Sequence, residues 1–138
     1  MTAPPVQGTL EAALYVDDLD AAEMFYQKLI GLEPVGKVAG RHVFFRVGAS
    51  VLLIFNPEAT ARPAAAGARL PVPVHGTKGS GHYCFSVAAA DLDRWRGYLE
   101  ALGIAIEADF RWPNGARSIY VRDPAGNSVE FAEPGLWF

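Results

Sequence analysis

The chain has one cysteine, Cys84, among 138 residues. No intramolecular disulfide can brace it, and a reducing, cytoplasmic compartment is the expected setting. It has no excess of positive charge. Twelve Lys and Arg against 15 Asp and Glu give a net charge of −3, which offers no electrostatic footprint for nucleic acid. No apolar run approaches the ~20 residues that a membrane-spanning helix needs. The opening residues, Met-Thr-Ala-Pro-Pro-Val-Gln, carry no basic stretch followed by an apolar one, so no signal peptide is expected. Apolar residues are plentiful, at 51%. At this length they suffice for the core of one domain spanning residues 1–138.

Those residues are patterned twice in the same way. Leu10–Val16 alternates as a strand, and Asp17–Asp20 caps an amphipathic helical run from Ala21 to Ile30 that Gly31 stops. Arg41–Val47 and Ser50–Phe55 follow as strands turning at Gly48-Ala49. The second copy opens with a strand at Gly81–Val87. A helix begins within Ala89–Asp93, carries Leu92, Trp95, Tyr98, Leu99 and Leu102 at helical spacing, and stops at Gly103. Strands near Ser118–Arg122 and Asn127–Ala132 turn at Pro124-Ala-Gly126. With one weakly signalled strand near Glu33–Val38 or Ile104–Asp109, each half is a βαβββ module, about 8–57 and 79–134. Two such modules predict an α+β fold with one continuous curved sheet and helices on its outer face. The Pro- and Ala-rich connection, about 58–78, is long for an unstructured loop, which suggests a lid or an arm crossing to a second subunit.

Strand alternation then sorts the polar residues. Leu10, Ala12, Leu14 and Val16 form one face of the first strand and leave Glu11, Ala13 and Tyr15 on the other. Tyr83, Phe85 and Val87 form the core face of its counterpart, leaving His82, Cys84 and Ser86. In the last strand Glu130 opposes Val129 and Phe131. Glu11, His82 and Glu130 are therefore expected to converge on the hollow side of the sheet, with Leu52 matching Glu130 in the first module. A lone inward carboxylate needs a metal, a cation or a hydrogen-bonded site. An imidazole with two carboxylates suits a divalent Zn, Fe, Mn, Ni or Co ion, and three protein ligands leave positions open for substrate.

Three stretches carry a family resemblance over Leu10–Glu133. They are Tyr-Val-Asp-Asp-Leu (15–19) leading to Phe25-Tyr26 and Leu-Ile-Gly-Leu (29–32), Gly-His-Tyr-x-Phe-Ser-Val (81–87), and Asp-Pro-x-Gly-Asn-x-Val-Glu-Phe (123–131). In this order and spacing the chain resembles the vicinal oxygen chelate superfamily. Its members include glyoxalase I, extradiol dioxygenases, fosfomycin-resistance thiol transferases and metal-free bleomycin-resistance proteins. The resemblance implies metal ligands at Glu11, His82 and Glu130, and a homodimer. It departs from four-ligand glyoxalase I at Leu52, and from extradiol dioxygenases and fosfomycin-resistance enzymes at Glu11, where those usually have His. Tyr120 and the His82-Tyr83-x-Phe85 run look closest to the fosfomycin-resistance enzymes, without their phosphonate-gripping basic residues.

The function expected is that of a metal-dependent enzyme of glyoxalase or dioxygenase type acting on a small oxygen-chelating metabolite. Glu130 and His75, in a Gly-rich loop, are candidates for proton transfer, and Tyr120 for donation to a substrate oxygen. Arg41 and His42 are candidates for anion contact, and Trp112 for a pocket wall or subunit contact. Cys84 is expected as a small buried thiol, Phe25 and Tyr26 as core. The alternatives are a metal-free protein that sequesters a drug or metabolite and a fosfomycin-resistance-like thiol transferase.

Overall fold

A computed structural model describes all residues, 1–138. The first module comprises β1 (Glu11–Tyr15), α1 (Leu19–Glu23), β2 (Glu33–Val38), β3 (His42–Val47) and β4 (Ser50–Phe55). Asp18 caps α1 by accepting from the Ala21 N–H. The helix then widens into a π-helical stretch, Met24–Leu29, with the Ile30 N–H donating to the Phe25 carbonyl five residues back. Phe25 and Tyr26 are both buried there, edge to face at 4.9 Å.

A one-turn helix α2 (Pro57–Thr60) leads into the connection. The second module follows as β5 (His82–Ser86), α3 (Leu92–Ala101), β6 (Ala108–Arg111), β7 (Arg117–Arg122) and β8 (Ser128–Ala132). Each sheet has the same order, β1-β4-β3-β2 and β5-β8-β7-β6, with the first strand of the module parallel to the last.

The modules form the α+β arrangement that the repeat predicts, as two four-stranded sheets side by side and not as one continuous sheet. Their apolar faces share one core with the helices, including Leu14, Leu52 and Ile54 from one module and Phe85, Val129 and Phe131 from the other. Trp95 of α3 stacks on Phe131 at 4.7 Å. Leu10 lies outside this core and is exposed, because it precedes β1.

Buried polar groups join the modules where strand pairing does not. The Asp123 carboxylate accepts from the Ala125 and Asn127 N–H groups, the Asn127 amide and the Tyr26 hydroxyl, the last at 2.7 Å across the module boundary. Asn127 in turn donates to the Tyr15 carbonyl and accepts from the Gly81 N–H. Gly81 is required by this close approach. A Cβ there would meet Leu14 at 3.0 Å and the Asn127 oxygen at 3.2 Å.

Arg117 supports the outer edge of the second sheet. It grips Asp109 through two N–H groups at 2.8 and 2.7 Å and reaches Asp93 of α3. Arg96 of α3 also donates to Asp109. Hydrogen bonds from Arg117 first, reinforced by Arg96, hold the Asp109 pKa down at about 2.

Two stability experiments check these junctions. Tyr26→Phe leaves one of four donors to a buried carboxylate missing and should lower the unfolding free energy by about 1–3 kcal/mol in denaturant titration. Asp109 must be ionised to hold Arg117. The stability advantage of wild type over Arg117→Met should therefore be full above the unfolded carboxylate value of ~3.9 and fade as pH falls towards 2. A difference that grew on acidification would contradict the pairing.

Candidate functional site

The hollow faces of the two sheets form two separate grooves. The second-module groove, about 510 Å³, is lined by His82 and Cys84 of β5, Tyr120 of β7 and Glu130 of β8. Trp112, Pro113 and Asn114 in the β6–β7 turn and Leu136 and Trp137 of the tail complete it. Strand register puts Cys84, Glu130 and Tyr120 in one line across three strands.

Glu130 is the buried centre of this groove, 4% exposed. One carboxylate oxygen, Oε2, accepts from the Ser118 hydroxyl at 2.5 Å, and Ser118 accepts from the Trp112 indole N–H at 2.8 Å. The other, Oε1, faces His82 Nε2 at 3.2 Å. His82 Nδ1 lies 3.0 Å from the Ser128 carbonyl. A carbonyl can only accept, so Nδ1 carries the proton. The Nε2 atom then meets the carboxylate either as an imidazolium N–H or as a lone pair. Two facing lone pairs require a cation between them.

Two atoms each ~2.1 Å from one divalent ion lie ~3.0–3.4 Å apart at right-angled to tetrahedral geometry, so this pair matches two neighbouring ligands. The Nδ1–H to carbonyl bond is the kind of outer contact that orients a ligating imidazole. The carboxylate also governs its neighbours. Desolvation, then the Glu130 charge, pushes both the Tyr120 hydroxyl and the Cys84 thiol up to about 12. Cys84 is exposed in the groove, not buried as expected, because its side chain points away from the core.

The first-module groove is larger, about 930 Å³. Glu11, Ala13 and Tyr15 line it from β1, as alternation required, with His42 and Phe44 from β3 and Leu53 and Phe55 from β4. The connection runs beside it. Leu70, Val72 and Val74 lie along this groove of the same chain. The His75 N–H donates to the Thr60 carbonyl, and a Cβ on Gly76 would meet the Pro57 carbonyl at 3.0 Å. His75 Nδ1 is hydrogen-bonded to the Tyr15 hydroxyl at 2.7 Å.

His82 and Glu130 are thus together, with Tyr120 beside them, but Glu11 and His75 are in the other groove. No group of three or more His, Cys, Asp or Glu side chains is placed to hold a metal within one chain. Within one chain the three do not converge, because β1 and β5 belong to different sheets. The repeat match also shifts by one residue. Glu11 pairs with Val51 and His82 with Ser128, so Leu53, not Leu52, is the counterpart of Glu130. Leu52 is fully buried in the core, whereas Leu53 faces the groove, so that position still offers no ligand.

Ser118, Trp112 and Tyr15 gain contacts that sequence patterns could not specify. Ser118 shares strand parity with Tyr120, and Trp112 precedes a Pro-Asn-Gly turn. Neither signal says that the two side chains meet.

A profile of the glyoxalase/bleomycin resistance protein/dioxygenase superfamily matches residues 8–131. A crystal structure described as lactoylglutathione lyase from Agrobacterium tumefaciens is 49% identical. The match covers 97% of this chain and 98% of that one, with a TM-score of 0.91. A glyoxalase/bleomycin resistance protein/dioxygenase from Nocardioides shares the fold at 20% identity and a TM-score of 0.71, over 96% of this chain and 85% of its own. A glyoxalase/dioxygenase from Nostoc punctiforme does so at 23% and 0.68, over 96% and 94%. No functionally curated protein matches.

The thiol shift is directly measurable. In chelator-treated protein, Glu130→Gln removes the negative neighbour, so the Cys84 pKa should fall and alkylation at pH 8 should speed up several-fold over wild type. An unchanged rate would mean that Glu130 does not control the thiol.

Proposed function

The chain belongs to the glyoxalase/bleomycin resistance protein/dioxygenase superfamily, and from that premise we propose that it is a metal-dependent, glyoxalase-type enzyme acting on a small substrate with two neighbouring oxygens. The observation that carries this reading is the meeting of His82 Nε2 and Glu130 Oε1 at 3.2 Å, with Nδ1 and Oε2 each already engaged elsewhere. Those two atoms would hold a divalent ion. The carboxylate of Glu11 would complete the set from a second copy of the chain. Its first-module groove would face the second-module groove of its partner in a homodimer.

A bound divalent ion supplies Lewis acidity toward the substrate oxygens. The remaining tasks fall to side chains. Tyr120, its hydroxyl kept protonated, is a donor beside Glu130 for an oxygen that gains negative charge. Proton transfer falls to the groove carboxylate Glu130, because His75, its ring hydrogen-bonded to Tyr15, lies at the opposite end of β1 from Glu11. Ser118 and Trp112 position Glu130. The 49% identical lyase supports glyoxalase-type chemistry over oxygenation. The free thiol of Cys84 supports a reducing compartment, the cytoplasm. No helix is long and apolar enough to cross a membrane.

The second reading is a metal-free protein that sequesters a drug or metabolite. The observation in its favour is that no three-ligand cluster forms within one chain.

Metal analysis with mixed variants separates the readings. Wild type should sediment as a dimer and bind one divalent ion per chain. His82→Ala, Glu130→Gln and Glu11→Gln should each weaken binding at least tenfold. Co-refolding Glu11→Gln with Glu130→Gln should restore tight binding at one site per mixed dimer, because one site then carries neither change. Wild type that bound no divalent ion under any loading would support sequestration. Unaltered binding by Glu11→Gln would remove that residue from the ligand set.

A further inference from the structure

The end of the first-module groove away from Glu11 has its own recognition chemistry, which the metal reading does not use. Where the second module aligns Cys84, Glu130 and Tyr120, the first aligns Ala13, Leu53 and Phe44. The same surface is apolar and aromatic. Phe44 stacks on His42 at 4.0 Å and meets Phe55 edge to face at 5.3 Å, and Phe55 meets His75 the same way at 4.7 Å.

A cation closes this end of the groove. The Arg41 guanidinium lies 5.6 Å above the Phe55 ring and donates to His42 Nδ1 at 2.8 Å. An arginine can only donate, so His42 accepts and is neutral. Burial, then the Arg41 charge, lowers the His42 pKa in the same sense. Arg41 takes part in no ion pair, and neither does Arg62 on the same groove. A half-buried guanidinium stacked on a ring, with donors to spare and no acid beside it, is suited to an incoming carboxylate. Glu11 does not compete. Phe55 pairs with both Tyr15 and His42 in the register, so Glu11 stands at the far end of β1, about 13 Å of strand away.

We infer that this groove binds an elongated aryl-alkyl carboxylate, its carboxylate on Arg41 and its ring against Phe44 and Phe55. When His75 Nδ1 accepts from Tyr15, its Nε2–H is a further donor lining the same end. The body of the ligand runs over Leu53 and Ala13 toward Glu11. This deepens the proposed function and rests on it only for what happens at the far end, where the reacting oxygens would reach the metal. Binding of the anionic end needs no metal.

Calorimetry on chelator-treated protein tests it with 3-phenylpropionate, its neutral amide and acetate. The acid should bind about tenfold or more tightly than the amide, and acetate should bind far more weakly than either. Arg41→Gln should bring the acid-to-amide ratio near one, and Arg41→Lys should retain part of it. Unfolding midpoints of both variants check that they fold. Equal affinity of wild type for acid and amide, a ratio unchanged in Arg41→Gln, or no binding at millimolar concentration would overturn the inference. Acetate binding as well as phenylpropionate would overturn the aromatic assignment. A failed metal titration with the acid preference intact would remove the enzyme reading and leave this one standing.

Discussion

Everything in this fold depends on the buried carboxylate of Asp123. Two sheets with no shared hydrogen-bond ladder must be held at a fixed angle, and apolar packing alone is non-directional. Asp123 supplies direction. It closes its own turn through two backbone N–H groups, fixes the Asn127 amide and accepts a hydrogen bond from the Tyr26 hydroxyl of the other module. Asn127 carries the constraint to the start of β5 and the end of β1. The turn that joins β7 to β8 is thus also the bolt between modules, and the strand it launches carries Glu130.

That linkage explains why the two grooves differ while their backbones match. The repeat fixes strand order, parallel pairing and which face is hollow. The side chains on the hollow face pack against no helix and could diverge. In one module they became a buried carboxylate held by Ser118 and Trp112, an imidazole held by Ser128, and a phenol beside them. In the other they became an aromatic floor with a stacked arginine. The first set suits chemistry and the second suits recognition. Nothing in the shared core requires either.

Much of the fold was legible in the sequence because it rests on local rules. Strand alternation placed Glu11, Tyr15, His82 and Glu130 on the hollow faces, and glycines marked the helix ends. What alternation cannot supply is the relation between strands. Whether β1 and β5 share a sheet is a tertiary fact, and on it rests whether Glu11 meets His82 within one chain. An offset of one residue separates Leu52 from Leu53, the structural counterpart of Glu130. Such an offset moves a side chain to the opposite face, and only the register of β1 on β4 resolves it. The partners of Asp123 and Glu130 were equally invisible, since Tyr26 lies 97 residues from the first and Ser118 is 12 from the second.

The contacts of Glu130 have a stereochemical consequence. A free carboxylate has two equivalent oxygens. Here Ser118 occupies one and His82 faces the other, so the group is desymmetrised before any ligand arrives. Whatever enters the groove meets a single oxygen from a single side. A flat, achiral group thereby becomes a chiral reference point, against which the two faces of a trigonal carbon can be told apart.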